Sequence, residues 1–152
     1  MKLLGIRVEP KKARYALIGS DNGDFTFINA DTESRLVYPD GLSKTDQKMD
    51  WLYQELARIL HEHQDIKKVC IKTNEYTQSD NKSKRETAHL EGAVLLFCKQ
   101  NNLPVTLKNY ASLATRNSSV KEHAEERVGR SNKYWDTKIA DAVVAAWRGA
   151  RE

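Results

Sequence analysis

The stretch LGIRVEPKKARYALI, residues 4–18, holds two aliphatic runs separated by nothing but the short basic turn EPKK. Residues 2–8 alternate weakly and are rich in Leu, Ile and Val, and residues 13–19 repeat that texture, so the two predict a β-hairpin. SDNGD at 20–24 predicts a second tight turn, because Asn-Gly supplies the positive φ angles that a two-residue hairpin needs. FTFINA (25–30) then reads as a third strand.

Beyond the hairpin the texture changes from period two to the helical period. SRLVYPDGLS (34–43) carries the chain to a helix, with Pro39-Asp40-Gly41 as the break and Ser43 or Thr45 as the cap. From Thr45 to His63, Met49, Leu52, Tyr53, Leu56, Ile59 and Leu60 fall on one face. IKKVCIKT (66–73) suits a buried central strand, and NEYTQSDNKSKR (74–85) a loop or a slowly starting helix. ETAHLEGAVLLFCKQNN predicts a helix ending at Asn101-Asn102, and LPVTLKNY a fifth strand. The polar segment 112–135 has room for one short helix. TKIADAVVAAWRGA closes the chain as a helix apolar on most sides, which predicts burial against the sheet.

This order predicts an α/β fold: a mixed five-stranded sheet, three antiparallel strands first and then parallel strands four and five, flanked by helices. The two long helices supply the right-handed crossovers that parallel pairing requires.

Composition narrows the class. A chain of 152 residues, 39% hydrophobic and 30% charged, is expected to fold as a single domain over 1–152 with a real core. Its 25 basic and 21 acidic residues give a net charge of +4, which permits attraction to phosphates without requiring it. Cys70 and Cys98 sit inside apolar runs, where a small thiol ordinarily packs. No run approaches the ~20 apolar residues of a membrane span, and the start lacks the marks of a signal peptide, so a cytoplasmic location is expected.

LGIRVEPKKARYALI resembles the opening of the Holliday-junction resolvases of the RuvC type, where a LGIDPG strand is followed at similar spacing by a GYGVI strand. VCIKTNEYTQ resembles their glutamate-bearing strand, EGAVLLFCKQNNLPVTLKNYASLA their next helix and strand, and DTKIADAVVAAW their last helix, which presents DAADALA. The resemblance spans nearly the whole chain and implies the ribonuclease H-like fold. It also implies a site of four carboxylates that hold two divalent ions for phosphodiester hydrolysis. Carried across position by position, the first carboxylate is Arg7, the second Lys72 and the third Lys138; only the fourth, Asp141, remains acidic. One carboxylate among three cations repels a divalent ion.

Three readings of that site stay open. Arg7, Lys72 and Lys138 hold the phosphates of DNA or RNA without cutting them, which makes the chain a pseudo-nuclease. Alternatively they pair with Asp141, Glu9, Glu75 and Asp136 in a structural ion-pair network, leaving a protein-interaction or adaptor domain that acts as a homodimer or with another protein. In the third, Glu9, Glu75 and Asp141 form a displaced carboxylate site, a nuclease needing Mg or Mn; only this reading calls for a cofactor. Nucleic acid is the favoured partner and no membrane is expected.

The remaining candidates have plain explanations. His61 and His63 suit solvated histidines at a helix C-terminus, and His89 and His123 are isolated. NKSKRE (81–86) reads as a charged surface, or as a helix start able to follow a phosphate backbone. Tyr134 and Trp135, beside Arg130 and Lys133, either stack on a base or anchor the last helix, and Trp147 belongs to the core or an interface. No glycine-rich phosphate loop or G-x-S-x-G elbow is present.

Overall fold

A computed structural model describes all 152 residues, Met1–Glu152. β1 (Lys2–Val8) and β2 (Lys12–Asp21) form the expected antiparallel hairpin, with Leu3 opposite Ile18 and Arg7 opposite Arg14. The next turn places Asn22 and Gly23 at φ 52° and 87°, the left-handed pair that matches strand twist, and leads into β3 (Asp24–Phe27).

One strand is additional to the five expected. β4 (Arg35–Val37) pairs antiparallel with the start of β2. It is three residues long and buries only Leu36, too short an alternation to register as a strand in sequence. α1 (Thr45–Glu62) starts one residue from the expected caps, with Lys44 in the capping position and the Gln47 side chain accepting its amide at 3.2 Å.

β5 (Ile66–Lys72) lies parallel to β1, and α2 (Lys82–Gln100) follows after Asn81, whose side chain accepts the Lys84 amide at 2.8 Å. β6 (Val105–Lys108) lies parallel to β5. The polar segment holds two short helices rather than one, α3 (Tyr110–Leu113) and α4 (Val120–Arg127), before α5 (Thr137–Ala150). The sheet runs β3-β2-β1-β5-β6, with β4 beside β2. No helix is long and apolar enough to cross a membrane.

Strand alternation divides the core in two. Leu4, Ile6 and Val8 of β1 join Val69 and Ile71 of β5 against Leu52, Leu56 and Ile59 of α1 and Leu90, Val94 and Phe97 of α2. Leu3 and Cys70 face the other way, onto Ile139, Ala142, Val143 and Ala146 of α5. Both cysteines are free and buried, and burial pushes the Cys70 thiol up to about 11.

Two glycines let α5 settle closely. A Cβ on Gly5 would run into the carbonyl oxygen of Ala142, and one on Gly149 into Sγ of Cys70. The helix backbone therefore rests almost directly on β1, which brings the side chains around Ala142 to the carboxyl end of that strand.

Candidate functional site

Arg7 and Lys72 end adjacent parallel strands, since Ile6 pairs with Ile71. Alternation turns both toward α5, as it does Gly5 and Cys70. Asp141 meets them from α5. All three are out of solvent: Arg7 is 4% exposed, Lys72 1% and Asp141 0%. The Arg7 guanidinium is engaged in three directions. Its Nε lies 3.3 Å from Asp141 Oδ2, Nη1 donates to the Lys72 carbonyl at 3.2 Å and Nη2 to Asn74 Oδ1 at 2.8 Å.

Tyr110, the first residue of α3, joins the two halves of this cluster. Its hydroxyl donates to Asp141 Oδ1 at 2.7 Å, and its ring lies 3.8 Å beneath the Lys72 ammonium. The Lys72 ammonium also donates to the Thr73 carbonyl and stands 3.2 Å from Glu75 Oε1, which in turn accepts the Tyr110 amide at 2.7 Å. Burial moves these groups toward their neutral forms. Asp141 is raised by desolvation, against the pull of Tyr110, Lys72, Arg7 and Lys138. Lys72 is lowered by desolvation and by Arg7, against Asp141 and Glu75.

Around this floor lies a rim that solvent reaches. Asp136 caps α5, accepting the Ile139 amide at 2.8 Å, and stands 3.4 Å from Arg14. Arg14 is also paired with Glu9, whose other oxygen lies 3.9 Å from Lys138. Across the opening, Lys84 donates to Thr77 Oγ1 at 2.7 Å and to Ser79, and has no carboxylate partner. Floor and rim enclose an open cleft of about 390 Å³, lined by Arg7, Lys72, Lys84 and Lys138 against Glu9 and Glu75.

The structure thus brings Arg7, Lys72 and Asp141 into one cluster, with Lys138 one helical turn before Asp141 at its edge. It does not gather Glu9, Glu75 and Asp141: each faces a different cation, and no three Asp, Glu, His or Cys side chains anywhere stand close enough to hold a metal ion. The two-ion centre that the resemblance implies does not fit here, because Arg7 already occupies Asp141 and the neighbouring strand supplies an ammonium.

Four members of the site escaped the sequence reading. Arg14 had a signal: it lies opposite Arg7 in the hairpin, and two cations so placed need acids nearby. Asn74, Tyr110 and Glu91 had none. Glu91, on α2, is raised by burial against the attraction of Arg7 and Lys72, and its Oε2 is out of solvent without a hydrogen-bond partner.

The other candidates resolve plainly. His63 Nδ1 lies 3.3 Å from the Lys2 ammonium, and His123 is half-buried against Thr115 rather than free at the surface. Trp135 donates to Glu125 at 3.0 Å and packs against the α5 side of the core, while Tyr134 lies under Arg35.

No family model and no curated protein matches the sequence. Solved structures match the fold, two of them of RuvC. Thermus thermophilus RuvC in complex with a Holliday junction substrate superposes with a TM-score of 0.78 at 14% identity, covering 99% of this chain and 93% of that one. A second structure of Thermus thermophilus RuvC superposes with a TM-score of 0.76 at the same 14% identity and the same coverage, 99% and 93%. With the sheet order and the place of α5 already described, these likenesses establish that the chain has the ribonuclease H-like fold of the Holliday-junction resolvase RuvC.

Proposed function

We propose that this chain is one ribonuclease H-like domain over 1–152, a pseudo-nuclease that holds nucleic acid at its cleft and does not cut it by a two-metal route. The observation that carries this reading is the Arg7 guanidinium, ion-paired with Asp141 and hydrogen-bonded to the Lys72 carbonyl and Asn74, at the place where divalent ions would need free carboxylates. Lys138 and Lys84 are the cations able to touch a phosphate. Arg7 and Lys72 lie beneath and contribute positive potential from a poorly screened floor.

The test is a salt titration of binding to labelled duplex, branched and single-stranded DNA and to RNA, read by fluorescence anisotropy with and without Mg²⁺. Branched DNA is included because the RuvC structure with the better superposition holds a Holliday junction. Metal-independent binding whose log affinity falls linearly with log salt, and which Lys138→Glu and Lys84→Glu weaken, is the expected result. Cleavage in Mg²⁺ or Mn²⁺ that Glu9→Gln abolishes would overturn it in favour of the displaced carboxylate site. Absence of binding at ~0.15 M salt would point to a protein partner instead. The search would then start at the outer strand β6, where Leu107 is 48% exposed.

A further inference from the structure

The far end of α5 collects cations without matching acids. Arg127 ends α4, and Arg148 and Arg151 lie in and just past the last turn of α5. Two of the three flank one half-buried indole: the guanidinium carbons of Arg127 and Arg151 stand 4.3 Å and 4.9 Å from the ring centre of Trp147. The single carboxylate within ion-pair reach of any of the three is Glu152, 3.6 Å from Arg148, and it is shared with Lys108 at 3.0 Å and Lys68 at 3.7 Å. Arg127 and Arg151 have no carboxylate partner at all. Glu125 of α4 is engaged by Trp135 and Arg130.

Helix C-terminal carbonyls explain why cations gather there. They do not explain Arg127 Nη1, which is out of solvent and has no acceptor. A buried guanidinium N–H left without a partner is costly, and two neighbouring arginines add repulsion. Arg127 is accordingly lowered, by burial first and by Arg148 and Arg151 further, although Glu126 pulls the other way.

We propose that Arg127 and Arg151, held over Trp147, form with the neighbouring Arg148 an anion site that takes a phosphate group. The planar fork of an arginine stacked on an aromatic ring is pre-set for two parallel bonds to phosphate oxygens, which a lysine cluster would not be. The site stands independently of the cleft, since it lies at the opposite end of α5 and shares no residue with it.

The experiment is a titration of the full chain at low salt, with intrinsic tryptophan fluorescence and calorimetry as readouts. The probes are inorganic pyrophosphate, a short single-stranded oligonucleotide and oligoglutamate. A saturable response to pyrophosphate, to the oligonucleotide or to both is expected, and which of them responds tells a small phosphate compound from a phosphodiester. Arg127→Gln and Arg151→Gln should each raise the dissociation constant about ten-fold, the loss of one charge-assisted contact. Arg85→Gln, an exposed arginine paired with Asp80, should leave it unchanged. Arg151 is exposed near the chain end, so that variant remains readable even where Arg127→Gln disturbs folding. Silence toward both phosphate probes, equal responses in the arginine variants and the unsubstituted chain, or binding of oligoglutamate alone would each overturn the proposal.

Discussion

The two ends of α5 handle positive charge differently. At the N-terminal end, Arg7, Arg14 and Lys72 each face a carboxylate, supplied by Asp141, Glu9 with Asp136, and Glu75. At the C-terminal end, Arg127 and Arg151 lean on Trp147 and face none. The cause is topological. The N-terminal end of α5 lies over the carboxyl ends of β1 and β5, where the chain leaves the sheet through polar loops carrying Glu9, Asn74 and Glu75. The C-terminal end lies over Cys70, and the one acid paired there, Glu152, belongs to the helix's own tail and is shared among Arg148, Lys108 and Lys68. At the first end each buried cation has an acid within ion-pair reach, whereas at the second Arg127 and Arg151 have none.

The strongest way to break that contrast is to remove the acid between Arg7 and Lys72. Asp141→Ala leaves Arg7 and Lys72 buried together with their central counter-charge removed, and should cost about 3–5 kcal/mol in urea denaturation. Replacing the pair together, Arg7→Met with Asp141→Leu, should return most of that loss, because apolar groups of similar volume carry no desolvation penalty. Asp141→Ala with unchanged stability would mean that Asp141 does not serve as counter-charge to Arg7 and Lys72.

A somewhat smaller loss is expected where α5 meets the sheet. Gly5→Ala forces the helix backbone away from β1 and should cost about 3 kcal/mol, the upper part of the usual range for overpacking. Gly149→Ala meets only Sγ of Cys70, so adding Cys70→Ala should rescue it, while no single side-chain deletion rescues Gly5→Ala. Equal rescue at both ends would remove the asymmetry between them.

Glu91 sharpens the contrast through pH. Burial holds its carboxyl above the ordinary 4.5, so the folded chain keeps that proton better than the unfolded chain does. Its stabilising contribution is present at low pH and is lost as pH rises from 4.5 through the raised folded value. Glu91→Gln should therefore raise the urea midpoint at pH 7.5 and leave it nearly unchanged at pH 4. A lowered midpoint at pH 7.5 would show that attraction to Arg7 and Lys72 outweighs burial.

The smallest effect on stability belongs to the rim. Lys138 meets Glu9 only at 3.9 Å in a solvent-reached pair, so Lys138→Gln should change stability by less than about 0.5 kcal/mol. The same variant should reduce the salt slope of nucleic-acid binding by about 0.9, one phosphate contact, measured in the anisotropy titration.

Much of the fold was legible because its signals are local. The hairpin follows from residues 2–19, the Asn22-Gly23 turn from one dipeptide, and α1 from three-and-four spacing between Met49 and Leu60. β4 was not legible, since three residues with one buried side chain leave no periodic trace. The polar segment concealed α3 and α4 because the eight residues of α4 bury only Val120 and Ala124 and carry a weak apolar face. In the site, Arg7, Lys72, Lys138 and Asp141 were identifiable one by one. Tyr110 and Glu91 were not, because each reaches the cluster from an element whose own pattern says nothing of it.

The sequence by itself determined the alternation of β1, and with it that Leu3, Gly5 and Arg7 share a face; it also determined the apolar surround of α5 and the charges of Arg7, Lys72, Lys138 and Asp141. Tertiary structure decided that Arg7, Lys72 and Asp141 are buried together, that Tyr110 and Asn74 hydrogen-bond to them, and that Arg127 finds no acid beside Trp147. The physical reason is range. Periodicity and turn chemistry act over a few residues, whereas which charges meet depends on parallel strand register and on how closely a distant helix approaches a glycine.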